Sequence, residues 1–302
     1  MPPETSLEVI INCRSGTNDE SEVLRRLNDL FEASGLRAHI SLAKSGGQIV
    51  DLARRAAQGD SQTVVAGGGD GTVSSIAAEL VGTSKILGVL PLGTLNHFAK
   101  DLHIPIDLEG AVNVISGGRT LSVDVGEVNG YPFLNNSSLG LYPSLVRERR
   151  KQQRLGFGKW PAFLWAAIAV LRRYPFLNVK LSVDGKEFAS RTPFVFVGNN
   201  QYEMEGLKIG GRRGLSAGEL SLYITHRTGR LGLLRLALRA LCGTLRNERD
   251  FMAMTTREVS IQSRKRRLRV AADGEVTLME PPLHYRVRPA ALRVFVPAPL
   301  SE

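Results

Sequence analysis

Residues 63–102 read TVVAGGGDGTVSSIAAELVGTSKILGVLPLGTLNHFAKDL. The apolar run at residues 63–66 predicts a buried strand, and helical spacing begins at Val73, Ile76 and Leu80. Between strand and helix lies a glycine-rich turn: Gly67, Gly68, Gly69, Asp70, Gly71 and Thr72. This order is a phosphate-binding geometry, because glycines let backbone N–H groups approach an anion and the first helical turn leaves donors unpaired.

A second apolar run, residues 86–90, ends in another loop of small and polar residues, PLGTLN. Each loop can instead be a plain strand–helix connection, capped by Asp70 or Thr72 in the first and by Thr94 or Asn96 in the second. Consecutive glycines are costly for a mere turn, which favours anion binding. The first loop matches neither the P-loop nor the GxGxxG fingerprint. We expect two such loops in series to face one nucleotide.

The rest of the chain predicts two domains. Strands and helices alternate up to about residue 120, which indicates a doubly wound parallel sheet with helices on both faces. Strand patterns then dominate, with hairpin turns at Asn129-Gly130, Asp184-Gly185 and Asp273-Gly274, typical of an antiparallel β-sandwich. Helical insertions are predicted at residues 145–171 and 231–245. The predicted domains are 1–125 (nucleotide-binding α/β, with 289–302 as a candidate returning strand) and 126–288 (an antiparallel β-sandwich).

Composition favours an anionic partner. The chain has 302 residues, 39 Lys and Arg against 29 Asp and Glu, and a net charge of +10. Two cysteines are too few to suggest a disulfide framework or a zinc site. A signal-peptide pattern and an apolar run of 18 residues are both missing, so we expect a cytoplasmic protein.

The chain has three clusters of basic residues, although most charge runs are simply solvated faces. They comprise Arg147, Arg149, Arg150, Lys151 and Arg154, then Arg212 and Arg213, then Arg264, Lys265, Arg266 and Arg267. The first adjoins Trp160 and Trp165 in a mixed aromatic and basic segment, and a predicted helix at residues 230–246 combines leucine with arginine. Segments of these two kinds suit a transient, peripheral contact with an anionic membrane. Nucleic acid is not expected as a partner, and the oligomeric state stays open, a homodimer included.

Asp273-Gly274-Glu275 also allows two interpretations. Asp-Gly is a common hairpin turn, as expected at Asp184-Gly185. Phosphoryl transfer to a hydroxyl, however, needs a carboxylate near the acceptor to orient it and take its proton.

The two loops together, GGGDGT and then PLGTLNHFAKDL, resemble the catalytic domain of the diacylglycerol kinase and sphingosine kinase family, and more narrowly its soluble bacterial lipid kinases. Residues 12–16, Asp124 within VDVG, the FLNNSSLG stretch and the distal DGE match in order, so the resemblance covers nearly the whole chain. GGDGT alone is shared with NAD kinases, whereas the second loop and the DGE single out lipid kinases.

The resemblance implies an ATP- and Mg²⁺-dependent kinase. ATP would be bound by Asn12, Ser15, Gly16, Gly68, Gly69, Asp70, Gly71, Thr72, Gly93, Thr94 and Asn96. Mg²⁺ would be held by Asp70 and Asp124, and the lipid hydroxyl would give its proton to Asp273 or Glu275, which the sequence does not separate. The resemblance also makes residues 126–288 the lipid-substrate domain. Several positions depart from the family. His97 stands where aspartate is common, Ala217 where many bacterial members carry the aspartate of a structural magnesium loop, and Cys13 where proline is common. Residues 42–44 also lack the expected threonine near the adenine site.

Three functions follow as hypotheses. The first is a lipid kinase that phosphorylates a hydroxyl of a diacylglycerol-like or other glycerolipid. The second is a kinase of a soluble substrate such as NAD, which shares the first loop. The third is a non-enzymatic basic module that binds membrane or nucleic acid, which the two glycine loops argue against.

Overall fold

The computed structural model describes residues 6–13, 20–140, 176–205, 208–212, 214–225 and 251–298. The chain divides into two compact units. The first comprises Met1–Val125, Gly214–Ala217 and Arg288–Glu302, and the second comprises Gly126–Arg213 and Gly218–Val287. The predicted helical insertions lie outside the described residues.

The first unit is an α/β fold built on a parallel sheet. Its elements are β1 (Ser6–Asn12), α1 (Glu20–Ala33), β2 (Arg37–Ala43), α2 (Gly46–Gln58), β3 (Thr63–Gly68), α3 (Asp70–Leu80), β4 (Ile86–Pro91), α4 (His97–Asp101) and α5 (Leu108–Ser116). The strands follow the order β2-β1-β3-β4, and all three pairings are parallel. Helix α2 packs beside α3 and α1 beside α5. The predicted α/β class is confirmed.

The pairing of the buried central strands β3 and β4 determines where the two glycine-containing loops begin. Every residue of β3 is buried, as a central parallel strand requires. β3 and β4 pair in register up to Gly67↔Leu90 and Gly68↔Pro91. Both glycine-containing loops therefore leave the sheet at its carboxyl edge, where α/β folds bind ligands.

The second unit is an antiparallel β-sandwich, as predicted. Two strands cross the unit boundary, β5 (Thr120–Val128) and β18 (Leu283–Phe295). The remaining strands are β6 (Tyr131–Phe133), β7 (Asn136–Gly140), β8 (Leu177–Val183), β9 (Lys186–Thr192), β10 (Phe194–Asn199), β11 (Tyr202–Glu205), β12 (Lys208–Arg212), β13 (Leu220–Thr225), β14 (Phe251–Thr256), β15 (Glu258–Ser263), β16 (Leu268–Ala272) and β17 (Glu275–Met279).

One layer of the sandwich has the order β14-β13-β10-β7-β16-β17, and the other contains β15, β8 and β9 with the start of β18. Alternating apolar residues from both layers form one core, for example Val195, Leu222 and Ile261. Tyr285 is fully buried in it, and its hydroxyl pairs with Ser137 Oγ at 3.1 Å. Burial raises the pKa of Tyr285 well above its usual value.

All three predicted hairpin turns are present. Asn129-Gly130 joins Val128 to Tyr131, Asp184-Gly185 joins Val183 to Lys186, and Asp273-Gly274 joins Ala272 to Glu275. Both residues of each turn have positive φ, which the two-residue turn requires.

Strand β18 ends in the first unit, where Arg293 and Val294 pair in parallel with Ile86 and Leu87 of β4. Just before this pairing Ala290 adopts φ +50°, a conformation that favours glycine. The Ala290 amide is held by the carboxylate of Asp124, at 2.9 Å.

This strain predicts that Ala290→Gly stabilises the protein by about 0.5–1 kcal/mol, since the Cβ penalty disappears. The neighbouring Ala291 lacks a positive φ, so Ala291→Gly should instead cost about 0.5–1 kcal/mol through backbone entropy. Urea unfolding of both variants measures the difference. Equal destabilisation by the two substitutions would contradict the inference that Ala290 is strained by its positive φ.

Candidate active site

The first glycine loop opens helix α3. Gly69 is the N-cap, with no side-chain capping bond, and its carbonyl accepts from Thr72 N at 2.9 Å and Val73 N at 3.1 Å. The expectation that Asp70 or Thr72 caps this helix is therefore wrong. The amides of Asp70 and Gly71 precede these first intrahelical bonds, so they are donors that the helix itself does not satisfy. A Cβ added at Gly71 would meet nothing within 4 Å, which leaves these donors accessible to an anion.

The second loop packs against the first, backbone on backbone. Leu92 N donates to Gly68 O at 3.1 Å. A Cβ built on Gly93 would lie 2.3 Å from the Gly69 Cα, and one on Gly69 would lie 3.3 Å from the Gly93 Cα. A side chain at position 93 cannot fit this contact. Glycine is thus required by the approach of the two loops.

Asn96 shapes the second loop from within. It is buried and adopts a left-handed conformation, φ 51°. Its Nδ2 donates to Pro91 O (3.1 Å) and Gly93 O (2.8 Å), while its Oδ1 accepts from Gly93 N (3.1 Å). Asn96 is the N-cap residue of α4, one of the two caps that the sequence allowed, but its side chain makes no capping hydrogen bond. Thr94 is exposed on the outside of the same loop.

Asn12 ties strand β1 to the glycine loop. Its Nδ2 donates to Thr72 Oγ1 at 3.0 Å. A Cβ on Gly68 would meet that same Thr72 side chain at 2.6 Å. The structure therefore brings together eight of the predicted nucleotide residues: Asn12, Gly68, Gly69, Asp70, Gly71, Thr72, Gly93 and Asn96. Ser15 and Gly16 lie outside the described residues.

Asp70 connects the first loop to helix α4. Its Oδ1 accepts from Phe98 N at 3.2 Å. Its Oδ2 has no hydrogen-bond partner in the described part of the chain, and the side chain is partly exposed beside the α3 N-terminus. A carboxylate oxygen at a phosphate site fits Mg²⁺, which proteins often hold by one or two carboxylates together with substrate phosphates.

The carboxylate of Asp124 already has a hydrogen-bond partner within the first unit. It is 3% exposed, its amide donates to Leu215 O at 2.7 Å, and its Oδ1 accepts from Ala290 N. Within the described ranges no three His, Cys, Asp or Glu side chains cluster closely enough to hold a metal. A metal-binding role of Asp124 therefore stays a prediction.

In the second unit, Asp273 points its carboxylate at the backbone that joins β6 to β7. Oδ2 accepts from Leu134 N at 2.7 Å, and Oδ1 accepts from Asn135 N at 2.8 Å and Asn136 N at 3.1 Å. Glu275 pairs with Ala272 across the hairpin, and its side chain is exposed. The two predicted acceptors thus lie in different environments.

Sequence reasoning missed a group of buried polar residues on the other side of residues 134–136. Arg212 was assigned to a basic surface cluster, yet it is only 9% exposed. Its Nη1 donates to Leu134 O at 2.6 Å and its Nη2 to Asn135 Oδ1 at 3.1 Å. The pair of arginines at 212 and 213 carried no signal that one of them is buried. The residues of the third cluster, 264–267, are exposed.

The contact between the loops predicts that Gly93→Ala costs about 1–3 kcal/mol of stability, because the methyl group overlaps the Gly69 backbone. The matched change Gly71→Ala meets no atom and should leave the unfolding midpoint unchanged or slightly raised by helix propensity. Thermal unfolding of both variants gives the comparison. Equal midpoints would show that the loops do not meet at these glycines.

Comparisons with known proteins agree with this architecture. Residues 6–128 match the diacylglycerol kinase catalytic domain, and residues 141–296 match the YegS C-terminal NAD kinase beta sandwich-like domain. Solved structures described as a putative diacylglycerol kinase from Bacillus anthracis superpose with TM-scores of 0.78 and 0.75, at 21% and 20% identity, over 99% and 97% of each chain. At that identity the likeness concerns the fold.

Two relatives illustrate the sequence similarity. A probable lipid kinase YegS-like of Klebsiella pneumoniae is 33% identical over 147 residues, 48% of this chain and 50% of that protein. A diacylglycerol kinase of Bacillus subtilis is 26% identical over 276 residues, 90% of each. The matched region thus spans half of the first relative and most of the second.

In the part of the chain that the structure describes, no helix has both the length and the apolar character needed to cross a bilayer. Each half of the chain matches its own domain model, and the solved structures share the fold over nearly the whole chain. The chain belongs to the family that joins a diacylglycerol kinase catalytic domain to a YegS C-terminal domain.

Proposed function

We propose that this protein is an ATP- and Mg²⁺-dependent lipid kinase, which transfers the γ-phosphoryl group of ATP to a lipid hydroxyl. The observation that carries the proposal is the backbone contact of the two glycine loops, which leaves the Asp70 and Gly71 amides at the α3 N-terminus open to an anion. The family supports kinase chemistry, and the names of the two relatives support a lipid acceptor.

The nucleotide phosphates would be held by the loop amides and the positive end of α3, which stabilise negative charge without side-chain rearrangement. The Asn12–Thr72 bond fixes the loop against β1. Thr94, Ser15 and Gly16 complete the proposed ATP site by resemblance.

Asp70 is the proposed magnesium ligand through Oδ2, and Asp124 remains a second candidate. When bound, Mg²⁺ neutralises charge on the phosphate oxygens. The Oδ1 bond to the Phe98 amide fixes the direction in which Asp70 presents its other oxygen.

At the acceptor end, a carboxylate of the Asp273–Glu275 hairpin would take the proton of the lipid hydroxyl. The hydroxyl oxygen then forms a bond to the γ-phosphorus, the bond to the β,γ-bridging oxygen breaks, and ADP leaves with that electron pair. The lipid product gains one phosphate.

The acceptor class we propose is a diacylglycerol-like or other glycerolipid, which the name of the Bacillus subtilis relative, a diacylglycerol kinase, favours. The exposed residues Arg264, Lys265, Arg266 and Arg267 are suited to transient contact with anionic headgroups at the inner face of the cytoplasmic membrane. Their charge would bring the enzyme to the surface that holds its substrate.

A kinase of a soluble substrate such as NAD is the second candidate, because the second half of the chain matches a model described as NAD kinase beta sandwich-like. A panel of acceptors with radiolabelled ATP separates the two candidates. The lipid-kinase proposal predicts labelled lipid in mixed micelles with diacylglycerol or other glycerolipids, and no labelled NADP. Labelled NADP alone would favour the alternative.

Removing the charge of Asp70 tests the site in the same assay. Asp70→Asn keeps an acceptor for the Phe98 amide but loses the carboxylate, so kcat/KM should fall by about 10²-fold or more. Asp107→Asn is the matched control, since Asp107 also accepts a backbone amide (Gly110 N, 2.7 Å) at a helix start, and it should stay near wild type. Equal activities of the two variants would remove Asp70 from the mechanism.

A further inference from the structure

Residues 134–136, which join β6 to β7, are held from both sides by polar side chains. On the amide side, Asp273 alone accepts from three consecutive N–H groups, at 2.7, 2.8 and 3.1 Å. Asp273 N also donates to Asn136 O at 2.9 Å. A long-range charged side chain thus satisfies donors that a neighbouring strand would otherwise satisfy.

On the carbonyl side, the same segment meets a buried group that includes Arg212. Leu134 O accepts from Arg212 Nη1 (2.6 Å) and Asn199 Nδ2 (2.9 Å). Asn135 O accepts from Tyr202 Oη (2.9 Å) and Asn199 N (2.9 Å). Arg212 also lies over the Tyr202 ring, 5.9 Å from its centroid. A negative and a positive side chain therefore hold opposite sides of one short piece of backbone.

These bonds leave Asp273 poorly suited to accept a proton. Both carboxylate oxygens already accept amides, and charge-assisted bonds of this kind stabilise the ionised form. Asp184 provides a comparison, because it occupies the same kind of turn but does not accept three consecutive backbone amides. It sits at the same place in an Asp-Gly hairpin, with φ 48° against 46°, yet its Oδ1 accepts from the Thr256 hydroxyl at 2.9 Å. The turn alone thus does not require the three amide bonds.

The segment leads directly into β7, which pairs with β10 on one side and β16 on the other. Ser138 lies opposite Ala271 on β16 and Phe196 on β10, on the face away from the core residue Leu139. Ser138 Oγ is buried and has no hydrogen-bond partner among the described residues. A buried hydroxyl left without a partner is costly, which marks this face as a place where a ligand group can bind.

We propose that Asp273 and Arg212 are positioning residues, which together hold residues 134–136 at the entry to β7, the strand that carries the Ser138 hydroxyl, and that Asp273 is not the proton acceptor. The kinetic part of this inference rests on the proposed lipid kinase activity. The structural part does not, since it concerns only the backbone amides and carbonyls of residues 134–136.

Hydrogen exchange of the full-length protein tests the structural part. Asp273→Asn leaves at most one oxygen to accept the three amides, so exchange at residues 134–136 should accelerate by about tenfold or more. Arg212→Gln should accelerate the same amides, because the carbonyl side is released. Asp184→Asn is the matched control and should leave them unchanged. Unchanged amide exchange at residues 134–136 in both Asp273→Asn and Arg212→Gln would overturn the proposal that these two side chains hold the segment.

The pH dependence of kcat/KM tests the kinetic part. A general base must be ionised, so activity falls as the pH drops below its pKa, and removing the base removes this acid limb. With Asp273 as a positioning residue, Asp273→Asn lowers kcat/KM but keeps the acid limb, and Arg212→Gln gives the same pattern. Loss of the acid limb in Asp273→Asn alone would overturn the proposal.

A double variant completes the test. If both residues act through residues 134–136, Asp273→Asn combined with Arg212→Gln loses less activity than the product of the single losses. If Arg212→Gln fails to fold in a thermal scan, Asp273→Asn still decides through exchange and the acid limb. A wild-type protein that phosphorylates no acceptor would refute the proposed function. The hydrogen-exchange result would still decide whether Asp273 and Arg212 hold residues 134–136.

Discussion

The close approach of Gly69 and Gly93 is the constraint on which the first unit's site depends. β3 and β4 pair in register up to Gly68↔Pro91, so the two loops leave the sheet side by side. With no Cβ on either residue, the backbones touch, and the side-chain amide of Asn96 is free to bind the second loop from inside. The result is a rigid turn in which the first amides of α3 face outwards.

In the second unit, side-chain hydrogen bonds fix the position of the backbone that carries the motif residues. The link between β6 and β7, two strands that belong to different sheets, is held by charged and amide side chains. Such networks are favourable only when their members are well satisfied, and the bonds to residues 134–136 span 2.6–3.1 Å. Both units thus place their motif residues by fixing backbone first.

Much of the architecture was predictable because its signals are local. The β3–loop–α3 order and the three Asn-Gly or Asp-Gly turns each depend on a few adjacent residues, and the structure confirms them. The contact between Asp273 and Leu134 joins residues 139 positions apart, so no local pattern reports it. Arg212 looks like a surface charge for the same reason. The roles of Asp124, Ser15 and Gly16 rest on resemblance alone.

The central claim is that the α3 N-terminal amides hold the phosphates of ATP. A TROSY spectrum of the ¹⁵N-glycine-labelled protein, titrated with a non-hydrolysable ATP analogue and Mg²⁺, tests it most directly. The account predicts the largest amide shifts at Gly69, Gly71 and Gly93, with Gly130 and Gly185 in the hairpin turns of the second unit unmoved. Saturable nucleotide binding that leaves the Gly69 and Gly71 amides unshifted would contradict it.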